Sequence, residues 1–487
     1  MTSLRTNCNL NNSAALGSLS LAGTPAATPL GYYSWTFGQA ARDPYYILVI
    51  IYIFYPYFSS VVVGDPIRGQ SLIGYLNATG GVLLALTAPF LGAIADKNGR
   101  RKPWVVGTVL VMSVGAMLLW WVKPEGAGMT VTETLGVLLV VNFAFAISEV
   151  FHNAMLPSIA PMSKIGTISG IAFALGNVGG LSLMLFVLFA FAMPGTNDWS
   201  FLPSAPLFGL DRATHEHDRI VGPIAALWMI IFTLPLLLFT PDGRTSGVPL
   251  VRAARQGILD VLDTARHLRH YANIAIYLGS RMLFIDGMIG VLTFGGVYAS
   301  GHFGWGSTPL LILGLCTSGS AMIGAWIGGI LDDRLGSLGA LKIAIGMSSL
   351  VLIVLVSVEA DNVLFFIKVS TAPAWNFPYF RTISELIYLG TYQVFALFFV
   401  TGLSSSRTLM ARITPPEMAT QFFGLFALSS TATAFLAPLM VATMTSAFQS
   451  QRAGFASLAI LMVLGFFALR WVREERATVA GAHQEPA

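Results

Sequence analysis

The sequence predicts an all-α membrane protein with twelve transmembrane helices in two six-helix halves. Three observations carry that reading. Of the 487 residues, 55% are hydrophobic and only 10% charged, where a soluble domain carries about 25% charged residues. The mean hydropathy is +0.71, so lipid is the expected solvent for most of the chain. Apolar runs of spanning length recur twelve times, at 35–63, 70–94, 104–122, 134–157, 166–193 and 220–240, then at 272–299, 308–331, 340–358, 386–406, 418–447 and 453–472. A span needs about 20 residues, and the longer runs fit tilted or kinked helices.

Residues 1–34 are rich in Asn, Ser and Ala and lack the basic start and compact apolar core of a signal peptide, so they read as a disordered cytoplasmic tail. Residues 35–240 form the expected N-terminal bundle, 272–472 the C-terminal bundle and 473–487 a cytoplasmic tail. The 241–271 linker contains Val251, Ile258, Leu262 and Leu268 roughly on one helical face, with Arg252, Arg255, Arg266 and Arg269 around it. Such a helix lies at the membrane surface or is an ordinary solvated linker. Pro44, Pro56, Pro89 and Pro438 fall in or near spans, where neighbouring helices satisfy the freed carbonyls. Residues 194–219 read as a polar loop, and 359–385 as a Pro- and aromatic-containing insertion.

Composition also excludes. Cys8 and Cys316 make neither a disulfide framework nor a metal site. No GxxxxGK[ST] loop occurs, so direct ATP-driven pumping is not expected. No nucleophile, base and orienting group stand at a recognisable spacing, so an enzyme is not expected either. No cofactor and no nucleic acid is expected; the lipid bilayer is the expected partner, with the chain a monomer. Orientation follows from Lys and Arg. With both termini inside, 18 of the 27 Lys and Arg residues fall on the inner side and 7 on the outer, which puts the termini in the cytoplasm. The lysine-poor, arginine-rich set fits a bacterial inner membrane.

The strongest local pattern is Gly92-Ala-Ile-Ala-Asp96-Lys-Asn-Gly99-Arg100-Arg101-Lys102, between spans two and three. Gly92 is suited to close helix approach, Asp96 to capping or an arginine partner, and Gly99 to a tight turn. A weaker copy, Gly329-Ile-Leu-Asp332-Asp333-Arg334-Leu-Gly336, lies between spans eight and nine. Two copies at equivalent places indicate an internal parallel repeat. The GxxxDxxGRR pattern resembles the signature loop of the major facilitator superfamily. That resemblance implies a cytoplasmic latch of Gly92, Asp96, Gly99, Arg100 and Arg101, with Asp333 and Arg407 in the second half. The bland alternative is a basic loop that only sets topology.

Further segments narrow the resemblance: Phe151-His-Asn-Ala-Met-Leu-Pro157, Ala226-Leu-Trp228-Met-Ile-Ile-Phe-Thr-Leu-Pro235, Phe294-Gly-Gly-Val-Tyr298, Ser406-Arg407-Thr-Leu-Met-Ala-Arg412 and Gln421-Phe-Phe-Gly-Leu-Phe-Ala-Leu-Ser429. Together they resemble the "unknown major facilitator" branch, which includes vacuolar autophagy-related amino-acid effluxers. The likeness runs from about Trp35 to Pro438 and implies a secondary active transporter of a small polar solute, such as an amino acid, working by alternating access. The chain departs from that branch at Gln39 and Gln421, where acidic residues are usual, and at Thr431, near which a basic one is. Those departures leave the coupling mechanism and substrate open. They also give weight to a non-transporting membrane receptor or assembly partner on the same fold.

Ionisable groups at membrane depth are expensive, so they are the default site candidates. Span one offers Gln39, Arg42 and Asp43; Asp43-Pro44 also suits a helix start. In span four, Glu149, His152 and Asn153 share one helical face by spacing, with His152 expected nearer the surface. That face suits a proton relay or plain structural pairing. Span seven offers Arg281 and Asp286; beside Asp286, Gly287 and Gly290 suggest close packing. Asp286 suits a substrate amine or a coupling proton, or equally a partner for Arg281 or Arg407. Asn77 is a weaker candidate, and the glycines of 170–180 read as packing.

Overall fold

The computed structural model describes residues 19–20, 25–97, 100–196, 199–243, 252, 271–415 and 419–474. Among them, eleven helices are long and apolar enough to cross a membrane. One of the eleven, Ser307–Ser357, has 51 residues and is interrupted at Gly336, whose φ of 75° and ψ of 162° no helix contains. It therefore holds spans eight and nine, and the twelve expected segments are all present. Gly336 supplies the turn because a side chain resists that backbone region.

Span one, Pro29–Val62, starts six residues before the expected 35. Thr28 accepts the Gly31 N–H and Pro29 occupies the first turn, a capping pair that the tail reading overlooked. Part of the expected disordered tail is ordered too. Ala27 N–H donates to the Ile159 carbonyl, and Met162 N–H to that of Leu19, at the end of span four. Span one is not uniformly α-helical: Tyr46–Tyr52 and Phe58–Val62 are π-helical, with a break at Ile53. Span four, Val131–Ile159, and span ten, Ile383–Ile413, both open on capping boxes, Thr130 with Glu133 and Thr382 with Glu385. Span eleven is split into Ala419–Ala432 and Leu436–Phe448. Ahead of span ten, the insertion carries a short hairpin pairing Asn362–Val363 with Ile367–Lys368.

The chain forms two compact units, Met1–Gly64 with Leu86–Val261, and Asp65–Ala85 with Leu262–Ala487. Span two, Pro66–Lys97, thus begins in one unit and ends in the other, where the sequence placed it wholly in the N-terminal bundle. Its first half is fixed by polar bonds within the second unit. Buried Gln70 donates to Thr445 Oγ1 at 2.8 Å and to the Gln451 carbonyl at 2.9 Å, and Gln451 donates to the Pro66 carbonyl.

Glycines set the closest helix contacts, as the sequence suggested for spans five and seven. In the first unit, a Cβ at Gly179 would stand 3.2 Å from the Ala40 carbonyl, and one at Gly176 would overlap the Asp43 carboxylate. In the second, a Cβ at Gly287 would stand 3.1 Å from the Leu458 carbonyl of span twelve. A Cβ at Gly92 meets nothing within 4 Å among the described residues, as at Gly170 of span five. The linker reading at 251–270 lies outside the described residues, Arg252 apart.

Candidate functional site

In the first unit, span one brings Arg42 into the protein, where it is 2% exposed. A guanidinium this deep needs acceptors, because burying an unsatisfied charge is costly. Nη1 donates to Ser148 Oγ of span four at 3.3 Å. Nη2 donates to Gln39 Oε1 at 3.2 Å and lies 3.3 Å from His152 Nδ1. Gln39 in turn donates to both Asp43 carboxylate oxygens at 2.9 Å, so an amide links the cation to the carboxylate one residue along.

His152 corrects the sequence reading: it is fully buried, not near the surface. Its ring stacks on Trp35 with centroids 4.4 Å apart and planes 6° apart. Arginine can only donate, so Nδ1 is the acceptor, and Nε2–H donates to the Trp35 carbonyl at 2.9 Å. Both ring nitrogens are thereby used, which leaves no free position for a proton relay. The expected shared face also splits. Ser148 and His152, four residues apart, point inward, while Glu149 and Asn153 are exposed. The physical reason is the helical step of about 100° per residue, which turns each of them away from its inward neighbour. Asn142 joins two tyrosines, accepting from Tyr45 and donating to Tyr55.

In the second unit, span seven carries Arg281, 7% exposed. Nε donates to Ser406 Oγ of span ten at 3.2 Å. Nη1 donates to the Phe426 carbonyl at 3.1 Å and to Ser429 and Ser430 Oγ at 2.8 and 2.5 Å, all in span eleven. The guanidinium carbon sits 3.7 Å from the Phe426 ring centroid, a close cation–π contact. Every one of these partners is neutral. Nη2 makes no bond to a described residue, and no carboxylate pairs with Arg281 among the described residues.

Asp286 turns to a different task. Oδ2 accepts the Ala437 N–H at 2.9 Å, while the Leu436 N–H donates to the Thr433 carbonyl within the break. Asp286 therefore caps the second half of span eleven across helices, meeting an N–H group that the break at 433–435 leaves without an intrahelical partner. The capping alternative was not in the sequence reading, because Pro438 was taken as a tolerated span proline and not as the mark of a break. Asn77 is half-buried in the part of span two that belongs to the second unit.

The loops with the repeated motif show one device twice. In the first unit, Asp242 Oδ1 accepts the N–H groups of Arg101 and Lys102 at the start of span three, and Arg101 Nη1 donates to Ser158 Oγ of span four. In the second, Glu474 accepts the N–H groups of Ser337 and Leu338 at the start of span nine, and Arg412 of span ten donates to it at 2.7 Å. Among the predicted latch residues, Arg100 and Arg407 are exposed. Asp333 is exposed, whereas Asp332 is buried and accepts from Ser337 Oγ at 3.3 Å; the inward carboxylate is one residue earlier than the motif alignment placed it. The Asp96 side chain, all of Gly99 and the Gln421 side chain lie outside the described residues. Asp242 and Glu474 escaped sequence reasoning because single carboxylates just past the last span of each half carry no motif. The serines around both arginines escaped because hydroxyls are common in apolar helices.

Comparisons with known proteins agree with this architecture. A family model described as vacuole effluxer Atg22 like matches residues 160–482, and one described as Major Facilitator Superfamily matches residues 19–184. An uncharacterized MFS-type transporter of Bacillus subtilis, YxiO, is 23% identical over 461 residues, 93% of this chain and 96% of that protein. Autophagy-related protein 22 of Cryptococcus neoformans is 22% identical over 277 residues, and the match spans 56% of this chain and 49% of that protein. Among solved structures, a D-xylose-proton symporter superposes with a TM-score of 0.61 at 13% identity, covering 91% of this chain and 97% of that one. The nucleoside transporter NupG does so at 0.59 and 14%, covering 91% and 98%. These structural likenesses establish the fold.

Proposed function

The chain belongs to the vacuole effluxer Atg22-like family and is a multi-pass integral membrane protein, and on that premise we propose that it is a secondary carrier of a small polar solute with a carboxylate, an amino acid being the class favoured. The observation that carries the proposal is Arg281. A buried guanidinium held, among the described residues, by hydroxyls, a carbonyl and an aromatic face keeps most of its charge uncompensated there. An anion arriving at Nη2 gains a charge-assisted hydrogen bond in a poorly screened setting. Transport then proceeds by alternating access of the bundles at 35–240 and 272–472.

The carboxylates on offer for a coupling proton are Asp43 and Glu149 in the first unit and Asp286 in the second. Asp286 is already engaged by the Ala437 N–H, whereas the hydrogen bonds of Asp43 among the described residues come from the Gln39 amide, which favours Asp43. The excess of Lys and Arg on one side supports a bacterial inner-membrane location with both termini cytoplasmic.

The test is purified protein screened for thermal stabilisation by amino acids at two pH values, followed by flux in proteoliposomes. Saturable flux that responds to counter-substrate is expected. Equal, unsaturable flux in empty and protein-loaded vesicles across a broad solute panel would overturn the carrier reading, and co-purification with a stoichiometric partner would favour a receptor.

A further inference from the structure

A second polar cluster lies in the first unit, away from both arginines, where the loop of 199–215 enters span six. His215, His217 and Asp218 each direct one donor atom inward, and the three atoms lie within 4.8 Å of one another. His215 Nδ1 stands 2.9 Å from Asp218 Oδ2 and His217 Nε2 stands 3.5 Å from the same oxygen. Ligands held about 2.0–2.1 Å from a tetrahedral metal are about 3.4 Å apart. The 3.5 Å separation is thus that of a coordination edge and too long for a good N–H···O bond, while the 2.9 Å one is a hydrogen bond that a bound ion would replace.

Two further observations point the same way. His217 is nine-tenths buried, and its Nδ1 has no hydrogen-bond partner among the described residues, so no second hydrogen bond fixes its tautomer and either ring nitrogen is available to an ion. His215 adopts φ 54° and ψ 33°, the left-handed region. On a regular helix two residues apart point about 200° from each other. The left-handed turn instead brings both imidazoles to one carboxylate, and backbone strain of this kind persists where the surroundings enforce it.

We propose that His215, His217 and Asp218 form a binding site for a divalent first-row transition metal ion. Two imidazole nitrogens and one carboxylate oxygen are a borderline donor set suited to Zn(II), Co(II), Ni(II) or Cu(II), with at least one position left for water. Two guanidiniums are nearby. Arg219 donates to the Trp120 carbonyl and faces Glu216 at 3.6 Å; Arg212 donates to the carbonyls of Phe191, Ala192 and Pro194. Their charge weakens cation binding, so the ion is exchangeable. His215 also packs against Tyr57 of span one, ring centroids 5.6 Å apart, so a bound ion ties the start of span six to the π-helical end of span one.

The test uses the full-length protein in detergent, freed of any polyhistidine tag and titrated with Co(II) alone. One Co(II) per chain with the intense visible bands of a low-coordinate ion is expected, displaced by Zn(II), weakened as acid protonates the imidazoles, and accompanied by a higher thermal midpoint. His217→Ala and His215→Ala should each lose the bands and the midpoint rise while matching wild type in EDTA. His215 is the more exposed of the two, so its variant keeps the test valid if His217→Ala fails to fold. No Co(II) bands in wild type, or unchanged bands in His215→Ala, would overturn the proposal.

Discussion

Each six-span half of the sequence buries an arginine on its first helix and holds it through a serine on its fourth, Arg42 with Ser148 and Arg281 with Ser406. Beyond that shared bond the surroundings diverge. Around Arg42 stand His152, locked between Trp35 and the guanidinium, and the Gln39–Asp43 pair, while the buried Nε has no hydrogen-bond partner among the described residues. Around Arg281 the remaining partners are hydroxyls, a carbonyl and the Phe426 face, and Nη2 is left over. The difference teaches that the same buried cation serves two ends. Histidine and a carboxylate-bound amide beside Arg42 fit a structural rivet, whereas the neutral partners of Arg281 fit the anion-binding role proposed for it.

The substitution expected to have the largest effect is Arg281→Ala, which should weaken binding of a carboxylate solute roughly a thousandfold, about 4 kcal/mol. Arg281→Lys keeps the charge but loses the planar fork, and about tenfold is expected. Both are read from solute-induced thermal shifts and flux. A greater affinity loss in Arg42→Lys than in Arg281→Lys would invert the comparison.

Next is His152→Ala. It removes a stacked ring and the acceptor of Arg42 together, and should cost about 3 kcal/mol of stability in a reversible unfolding assay. An unchanged unfolding midpoint would mean that the Arg42 cluster is not structural.

Asp286→Ala removes a cap, so about 1–2 kcal/mol is expected, with Asp286→Asn close to wild type because asparagine also caps. Loss of pH-dependent transport in Asp286→Asn would instead make this carboxylate a proton carrier.

Glu474→Gln should have the smallest effect, about 1 kcal/mol or less. Partial burial raises the Glu474 carboxyl, but the Leu338 N–H, Arg412 and the Ser337 N–H outweigh it and hold it below its ordinary value of 4.5. A carboxyl lowered on folding adds stability above its unfolded value and loses it as pH falls through the folded one. The stability gap between wild type and Glu474→Gln should therefore be full at neutral pH and close in acid. A gap that widens in acid would reverse the assigned sign.

Much of the fold was legible, because hydropathy runs report directly what lipid demands of a chain. The exceptions have local causes. The Thr28–Pro29 start was missed because a polar cap looks like tail sequence. The split of span eleven was missed although Pro438 marks it, since a proline ring clashes with the carbonyl four residues before it, here Ala434. The site was legible only as residue types. Arg42, Asp43, Arg281 and Asp286 stand out at membrane depth, but the angular position that buries His152 and exposes Glu149 depends on where span one packs. Asp286 was read as a ligand for the same reason, since its partner is a backbone N–H that no sequence displays.

The wide turns of span one have a consequence for how the chain tolerates length changes. A π turn accommodates one residue more than an α turn. Removing a single residue within Tyr46–Tyr52 would let that stretch relax to ordinary helix while Arg42 before it and Tyr57 after it keep their facing. The same excision a few positions earlier, in Pro29–Tyr45, would swing everything upstream by about 100°. Span one thus carries slack at one place and none at another.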